Sequence, residues 1–330
     1  MANTTIYDVA GAAKVSLATV SRVMNNPEKV NPETREKVLR VIKELGYHPN
    51  AIARGLASRK STTVGIVMAD VSRAATAALL GGITDIAKKY DYAIKLFTMD
   101  PEDDIKEAMR KCVAEQVDGI LLLNDELELD DMGMVIDLIQ DAQIPLVLCN
   151  TIYNEKDVPT VAIDYTKATY DITKKLLAEG KQHIYFAQTV HKYSINQFKA
   201  EGYTKAMEEA GLEPLILKSS GDVSINSVQF REFLEGGNKV EAFISVRDSI
   251  AVSFMNQAIE LGFKVPEDIK VVGLQNTKYA LLSRPTLTCV DTPVYDIGAV
   301  SMRLLTKYMT HKDVADNKVF LPYRIVERQS

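Results

Sequence analysis

Ile6-Tyr7-Asp8-Val9-Ala10-Gly11-Ala12-Ala13-Lys14-Val15-Ser16-Leu17-Ala18-Thr19-Val20-Ser21-Arg22-Val23-Met24 is the stretch whose reading decides how the head of this chain folds. Ile6, Val9 and Ala13 recur at helical spacing and lay one apolar stripe on a first helix. Ser16 is a good cap for a second helix running to about Met24, which leaves Lys14-Val15-Ser16 as a three-residue turn. At about 100° per residue on the second helix, Val20, Val23 and Met24 share one side. Ala18, Ser21 and Arg22 share the opposite side, with Leu17 at the edge. Such an outer face suits a DNA major groove: small residues permit close approach, arginine pairs bidentately with guanine, and aliphatic groups touch a thymine methyl. An ordinary amphipathic hairpin has the same periodicity, so charge must arbitrate.

Residues 1–60 hold ten Lys/Arg against five Asp/Glu, whereas the whole chain of 330 residues is −5. The head is therefore +5 on a body of −10, which points to a polyanion partner for the head alone. A third helix opens at Asn31-Pro32-Glu33, with a cap, a proline at the first position and an acid near the positive dipole end. Its expected apolar stripe is Val38, Val41, Ile42 and Leu45, and Gly46 ends it. The following segment, 49–61, has a short helical centre of about nine residues with a glycine, too short to hold a helix alone in water.

From Thr63 on the rhythm is strand, helix, strand. Ten short apolar runs read as buried strands: Val64–Met68, Ala93–Phe97, Gly119–Leu123, Leu146–Cys149, Val161–Asp164, His183–Ala187, Leu215–Leu217, Ala242–Val246, Ile269–Leu274 and Leu287–Val290. Helical segments such as 167–179, 198–210, 248–261 and 294–310 separate them. Continuous apolar strands alternating with helices mean parallel sheets covered on both faces, and ten strands divide naturally into two sheets. The expected fold class is an all-α helix-turn-helix head followed by an α/β body of two doubly wound parallel-sheet lobes. Ligands are expected at strand C-termini or between the lobes.

Composition agrees with an ordinary globular class: 46% hydrophobic, 25% charged, and no apolar run near the ~20 residues of a membrane span. Cys112, Cys149 and Cys289 form neither a disulfide framework nor a CxxC pair, and no signal peptide is legible, so a soluble, cytoplasmic protein is expected. Nucleotide-loop, zincin and nucleophile-elbow motifs are absent and the four histidines are scattered. No catalytic residue, metal or cofactor is expected. A solute-binding protein is the reading from another class, and the basic head and missing signal peptide argue against it.

Ile6-Tyr7-Asp8-Val9-Ala10, Val15-Ser16, Thr19-Val20-Ser21-Arg22-Val23, Leu45-Gly46-Tyr47, Pro49-Asn50 and Ala53-Arg54-Gly55-Leu56-Ala57 resemble the signature of the LacI/GalR family of bacterial repressors. Two positions depart from it: Gly11 stands where a charged residue is common, and Lys14 where glycine is. The resemblance covers the whole chain and implies a body similar to periplasmic sugar-binding proteins. It divides the chain into a DNA-binding head (1–48), a hinge (49–61) and a two-lobe effector, corepressor and dimerisation region (62–330). The N-lobe comprises about 62–161 and 292–319, the C-lobe about 162–291 and 320–330. It assigns DNA contacts to Thr5, Tyr7, Ser16, Leu17, Ala18, Thr19, Ser21, Arg22, Asn50, Ala53 and Leu56. The hinge is implied to fold only on operator DNA as part of a homodimer, with Leu56 wedged into the minor groove.

Tyr295-Asp296-Ile297-Gly298-Ala299-Val300 and Met302-Arg303-Leu304-Leu305-Thr306-Lys307 are similar to the branch of that family that runs carbon catabolite control. That branch implies a protein corepressor, the seryl-phosphorylated phosphocarrier HPr, held by Tyr295, Asp296, Val300, Arg303, Leu304, Lys307 and Arg324. On a helix Asp296, Val300, Arg303 and Lys307 share one face, and two cations one turn apart suit a phosphoserine. The effector cleft is implied to involve Ser72, Lys199, Asp248 and Gln275. The aromatic and aspartate usual in sugar-sensing members are missing there, which argues against a sugar. An unidentified small molecule in that cleft is the alternative switch.

Overall fold

A computed structural model describes residues 4–47, 61–98, 105–123, 127–190, 193–312, 314 and 316–330. The chain forms two compact units, Met1–Ser61 and Thr62–Ser330.

The first unit contains α1 (Ile6–Ala13), α2 (Leu17–Asn25) and α3 (Pro32–Glu44), with a 3-10 turn at Pro27–Lys29. Thr5 caps α1 in a reciprocal box with Asp8, which satisfies two orphan donors of the first turn. Thr5 hydrogen bonds, the backbone N–H first, hold the Asp8 carboxyl below its ordinary range. Lys14 ends α1 in the left-handed region (φ 52°), its N–H and that of Val15 both reaching back to the last turn. That conformation explains why a glycine would sit comfortably at this position. Ser16 caps α2 by accepting from the Thr19 N–H, and Asn31 caps α3 by accepting from Glu33. Val9, Ala10, Ala13, Val20, Val23, Val38 and Tyr47 form the core. Leu45 does not join it: it lies past the end of α3 and is half-exposed, correcting the four-residue stripe expected for that helix.

The second unit holds two six-stranded sheets. The first contains β1 (Thr63–Met68), β2 (Ala93–Thr98), β3 (Gly119–Leu122), β4 (Leu146–Cys149), β5 (Thr160–Ala162) and β11 (Lys318–Phe320), in the order β11-β5-β4-β3-β1-β2, all parallel. The second contains β6 (Ile184–Thr189), β7 (Leu215–Ser219), β8 (Ala242–Ser245), β9 (Lys270–Gly273), β10 (Thr288–Asp291) and β12 (Arg324–Val326), ordered β12-β10-β9-β8-β6-β7. Only the edge strand β12 runs antiparallel, against β10. The strands β1, β3, β4, β8 and β9 are almost wholly buried, as expected where helices cover both faces. The short edge strands β11 and β12 were not expected from sequence, because each is three residues long and partly exposed.

The helices are α4 (Ala74–Lys89), α5 (Ile105–Ala114), α6 (Leu129–Asp141), α7 (Tyr165–Ala178), α8 (Ser194–Glu209), α9 (Val223–Glu235), α10 (Asp248–Glu260), α11 (Lys278–Leu282) and α12 (Val294–Met309). The chain crosses between lobes after β5, after β10 and between β11 and β12. In both sheets the strand order reverses at one place, β1 in one and β6 in the other, which opens a crevice at the strand C-termini. α4 and α12 meet backbone to backbone. A side chain on Gly82 would lie 2.0 Å from the Tyr295 carbonyl oxygen, and one on Gly298 would lie 2.2 Å from that of Leu79. The three cysteines are buried and free. Among the described residues no helix is long and apolar enough to cross a membrane.

Candidate functional site

The outward face of the head is built by α2. Val20 and Val23 are buried and Met24 is half-buried, which turns Ala18 and Arg22 outward into solvent. Leu17 stands at the edge with 37% exposure, and Tyr7 on α1 is 70% exposed. Ser16 and Thr19 are tied to each other through their hydroxyls at 2.9 Å, so part of their hydrogen-bonding capacity holds the helix start. Thr5 is likewise occupied as the α1 cap while remaining exposed. Ser21 is half-buried. Asn50, Ala53 and Leu56, and with them the hinge, lie outside the described residues.

The second constellation lies on α12. Ile297, Leu304, Leu305 and Met309 pack into the core, while Asp296, Arg303 and Lys307 are exposed on the opposite side and Val300 is half-buried. Leu304 was expected among the partner contacts; at 5% exposure it faces the core instead, because it lies two turns beyond Ile297 on the buried stripe. A groove of about 750 Å³ runs beside this face, lined by Asp296, Val300 and Arg303 and by the crossing segment Leu321-Pro322-Tyr323-Arg324. Arg324 donates its Nε–H to Asp291 Oδ2 at 2.6 Å, which pins an otherwise exposed guanidinium at the groove edge. Tyr295 is half-exposed and donates its hydroxyl to Asp85 of α4 at 2.6 Å. That bond to a carboxylate pushes the phenol above its ordinary pKa. Asp291, Tyr323 and Asp85 were missed in the sequence, since they come from other elements and only the fold brings them to α12.

The third is a cavity of about 210 Å³ where the strand C-termini of the two lobes face each other. Asp70, Ser72, Arg73, Thr76 and Asn150 enter from one lobe, and Arg247, Ser249, Gln275, Thr277 and Tyr279 from the other. Ser72 and Gln275 both line this cavity. Lys199 and Asp248 do not: both are buried and neither lines the cavity. Lys199 donates to the Val246 carbonyl at 3.1 Å and stacks over Tyr165. Asp248 accepts from the Gln275 N–H at 3.2 Å and from Thr277 Oγ1 at 2.9 Å, fixing the loop that carries Gln275. Burial pushes its carboxyl above the ordinary range, against those hydrogen bonds. Arg73 and Arg247, which precede the first residues of α4 and α10, line the cavity instead, with Arg73 ion-paired to Asp70 at 3.4 Å. Among the described residues no cluster of His, Cys, Asp and Glu is placed to hold a metal ion.

Residues 5–50 match the family described as "Bacterial regulatory proteins, lacI family", and residues 61–325 match "Periplasmic binding proteins and sugar binding domain of LacI family". The chain belongs to the LacI family. Among LacI-family relatives, catabolite control protein A of Priestia megaterium is 40% identical over 335 aligned positions, covering 99% of each chain. That of Staphylococcus aureus is 38% identical over 98% of each. The crystal structure of CcpA of Lactococcus lactis aligns with a TM-score of 0.72 at 31% identity, covering 81% of this chain and 98% of that one. The Lac repressor dimer bound to operator and the anti-inducer ONPF aligns with a TM-score of 0.90 over 99% of both chains, at 23% identity, a likeness of fold. This LacI-family chain is therefore a bacterial regulatory protein with a helix-turn-helix head and a two-lobe α/β body.

Proposed function

We propose that this LacI-family regulator acts in carbon catabolite control in the cytoplasm, binding pseudo-palindromic operators as a homodimer with seryl-phosphorylated HPr as its protein corepressor. The observation that carries the reading is the exposed Arg303–Lys307 pair, one turn apart beside the groove on α12. A phosphoserine brings close to two negative charges and three acceptor oxygens, which two free-standing cations and an apolar neighbour, Val300, can receive. Similarity to catabolite control protein A over nearly the full chain supports it. The homodimer is supported by apolar side chains that the monomer leaves in solvent: Leu96 on the edge strand β2, Val228 on α9, Leu281 and Leu282 on α11. Operator reading is assigned to Ala18 and Arg22, with Leu17, Ser21, Tyr7, Thr5, Ser16 and Thr19 around them, and to the hinge residues Asn50, Ala53 and Leu56. Isothermal titration of phosphorylated and unphosphorylated HPr against the dimer tests the partner. Equal affinity for the two would remove this reading.

The cleft favours a second reading, a switch by a small molecule. Arg73 and Arg247 reach one cavity from opposite lobes against a single carboxylate there, Asp70, which pairs with Arg73 at 3.4 Å, so the lining leaves a net positive charge that suits a small anion better than a neutral sugar. A ligand bridging the lobes would favour their closed arrangement. A thermal-shift screen of phosphorylated against neutral metabolites separates this reading from the first.

A further inference from the structure

We infer that Asp85 is a positioning residue for the partner-binding face, holding the Tyr295 side chain in the orientation in which a partner meets it. The inference rests on reading α12 as the docking site of the phosphorylated partner.

Three features of α4 act on Tyr295 in succession. Its carbonyl oxygen occupies the space a Gly82 side chain would need, and Gly298 accepts the Leu79 carbonyl in the same way. The two helices therefore cannot slide past one another without a backbone clash, and the register between residues 79–85 and 295–298 is fixed. Its ring passes over Gly81, where an added Cβ would be 3.6 Å from Cδ2, in ordinary contact. Its hydroxyl, one helical turn further along α4, ends on Asp85 Oδ2 at 2.6 Å.

The backbone of Tyr295 is locked by packing, but its exposed ring is held in place by that hydroxyl bond and by the edge of Gly81. An unrestrained exposed tyrosine loses rotamer freedom when a partner immobilises it, which lowers affinity. Asp85 meets that cost before the encounter. Asp85 is itself exposed and lies on a different helix from every other residue of the face, which is why sequence periodicity along α12 does not reveal it.

The test is isothermal titration of seryl-phosphorylated and unphosphorylated HPr against full-length wild type, Asp85→Ala, Asp85→Asn, Tyr295→Phe and the Asp85→Ala/Tyr295→Phe double variant. Asp85→Ala is expected to weaken the phosphorylated partner roughly three- to tenfold, the range of one net hydrogen bond. Tyr295→Phe should weaken it comparably, and Asp85→Ala should add nothing in the Tyr295→Phe background. Asp85→Asn should stay within about twofold of wild type, since an amide oxygen still accepts from the phenol. A merely structural role would lower the melting temperature of Asp85→Ala and would show no such non-additivity. An undiminished affinity in Asp85→Ala overturns the inference, as does an equal loss in both backgrounds, which would mean that Asp85 touches the partner directly. Should Asp85→Ala fold poorly, Tyr295→Phe with Asp85→Asn still decides: wild-type affinity in Tyr295→Phe overturns it. A wild type indifferent to phosphorylation fails one step earlier, sinking the docking reading together with the positioning role.

Discussion

Gly81 and Gly82 are adjacent on α4, yet replacing each with alanine should change stability in opposite directions. At Gly82 the added methyl would lie 2.0 Å from the Tyr295 carbonyl oxygen, 2.8 Å from the Ala299 nitrogen and 3.0 Å from the Tyr295 carbonyl carbon. All three are backbone atoms of α12, so no side chain can swing aside. Restoring ordinary contact requires the helices to part locally by more than an ångström, next to the buried Leu79, Ile83 and Ile297. Overpacking against rigid atoms costs about 3 kcal/mol, and the better helix propensity of alanine returns about 1. The net loss of about 2 kcal/mol corresponds to a fall of roughly 4–8 °C in melting temperature for a unit of this size. At Gly81 the new methyl would meet only the edge of the Tyr295 ring at 3.6 Å, so the propensity gain of about 0.5–1 kcal/mol stands unopposed. Differential scanning calorimetry of the two variants beside wild type, at fixed protein concentration, reads both signs. If Gly82→Ala melted with wild type, or if both variants fell together, the close approach of α4 and α12 would not be what these glycines serve.

Four further outcomes follow from the same geometry. Arg22→Ala should cost about 1–3 kcal/mol on specific operator and relax preference at one base pair per half-site; uniform weakening across sequences in a binding-site selection would contradict base reading. Arg303→Ala with Lys307→Ala should abolish the preference for the phosphorylated partner in titration while leaving thermal stability unchanged, since both side chains are exposed. Gly11→Ala should stabilise the head by about 0.5–1 kcal/mol in denaturant unfolding, because the glycine is exposed within α1 with nothing within 4 Å. Glu241 accepts the backbone N–H groups of Gln182 and His183, which hold its carboxyl well below the ordinary range. Its contribution is therefore present above the unfolded carboxylate pKa and lost as pH falls through the folded one. Glu241→Gln should cost about 1 kcal/mol at pH 7, and the difference from wild type should shrink on acidification below about pH 4.

Where adjacent residues specify a local shape, the sequence was sufficient. Ser16, Asn31 and the 3.6-residue stripe of Val20 and Val23 delimited the helices of the head, because capping and amphipathic periodicity act within one or two turns. Ten apolar runs marked ten of the strands and their division into two sheets, because a strand buried on both faces has to be continuously apolar. The outward set Asp296, Val300, Arg303 and Lys307 was legible for the same reason, as one helix face. Leu304 was named among the partner contacts from the resemblance alone; helical periodicity puts it with Ile297, and both are buried. Lys199 and Asp248 were read into the cleft from the family resemblance, by their positions along the chain. Only the packed lobe turned them inward, to the Val246 carbonyl and to the loop bearing Gln275. Arg73 and Arg247 face one cavity, and Asp85 meets Tyr295, across separations of 174 and 210 residues. No periodicity along the chain encodes such pairs: they exist because parallel sheets gather their strand C-termini at one edge, and because two glycines let α4 and α12 touch.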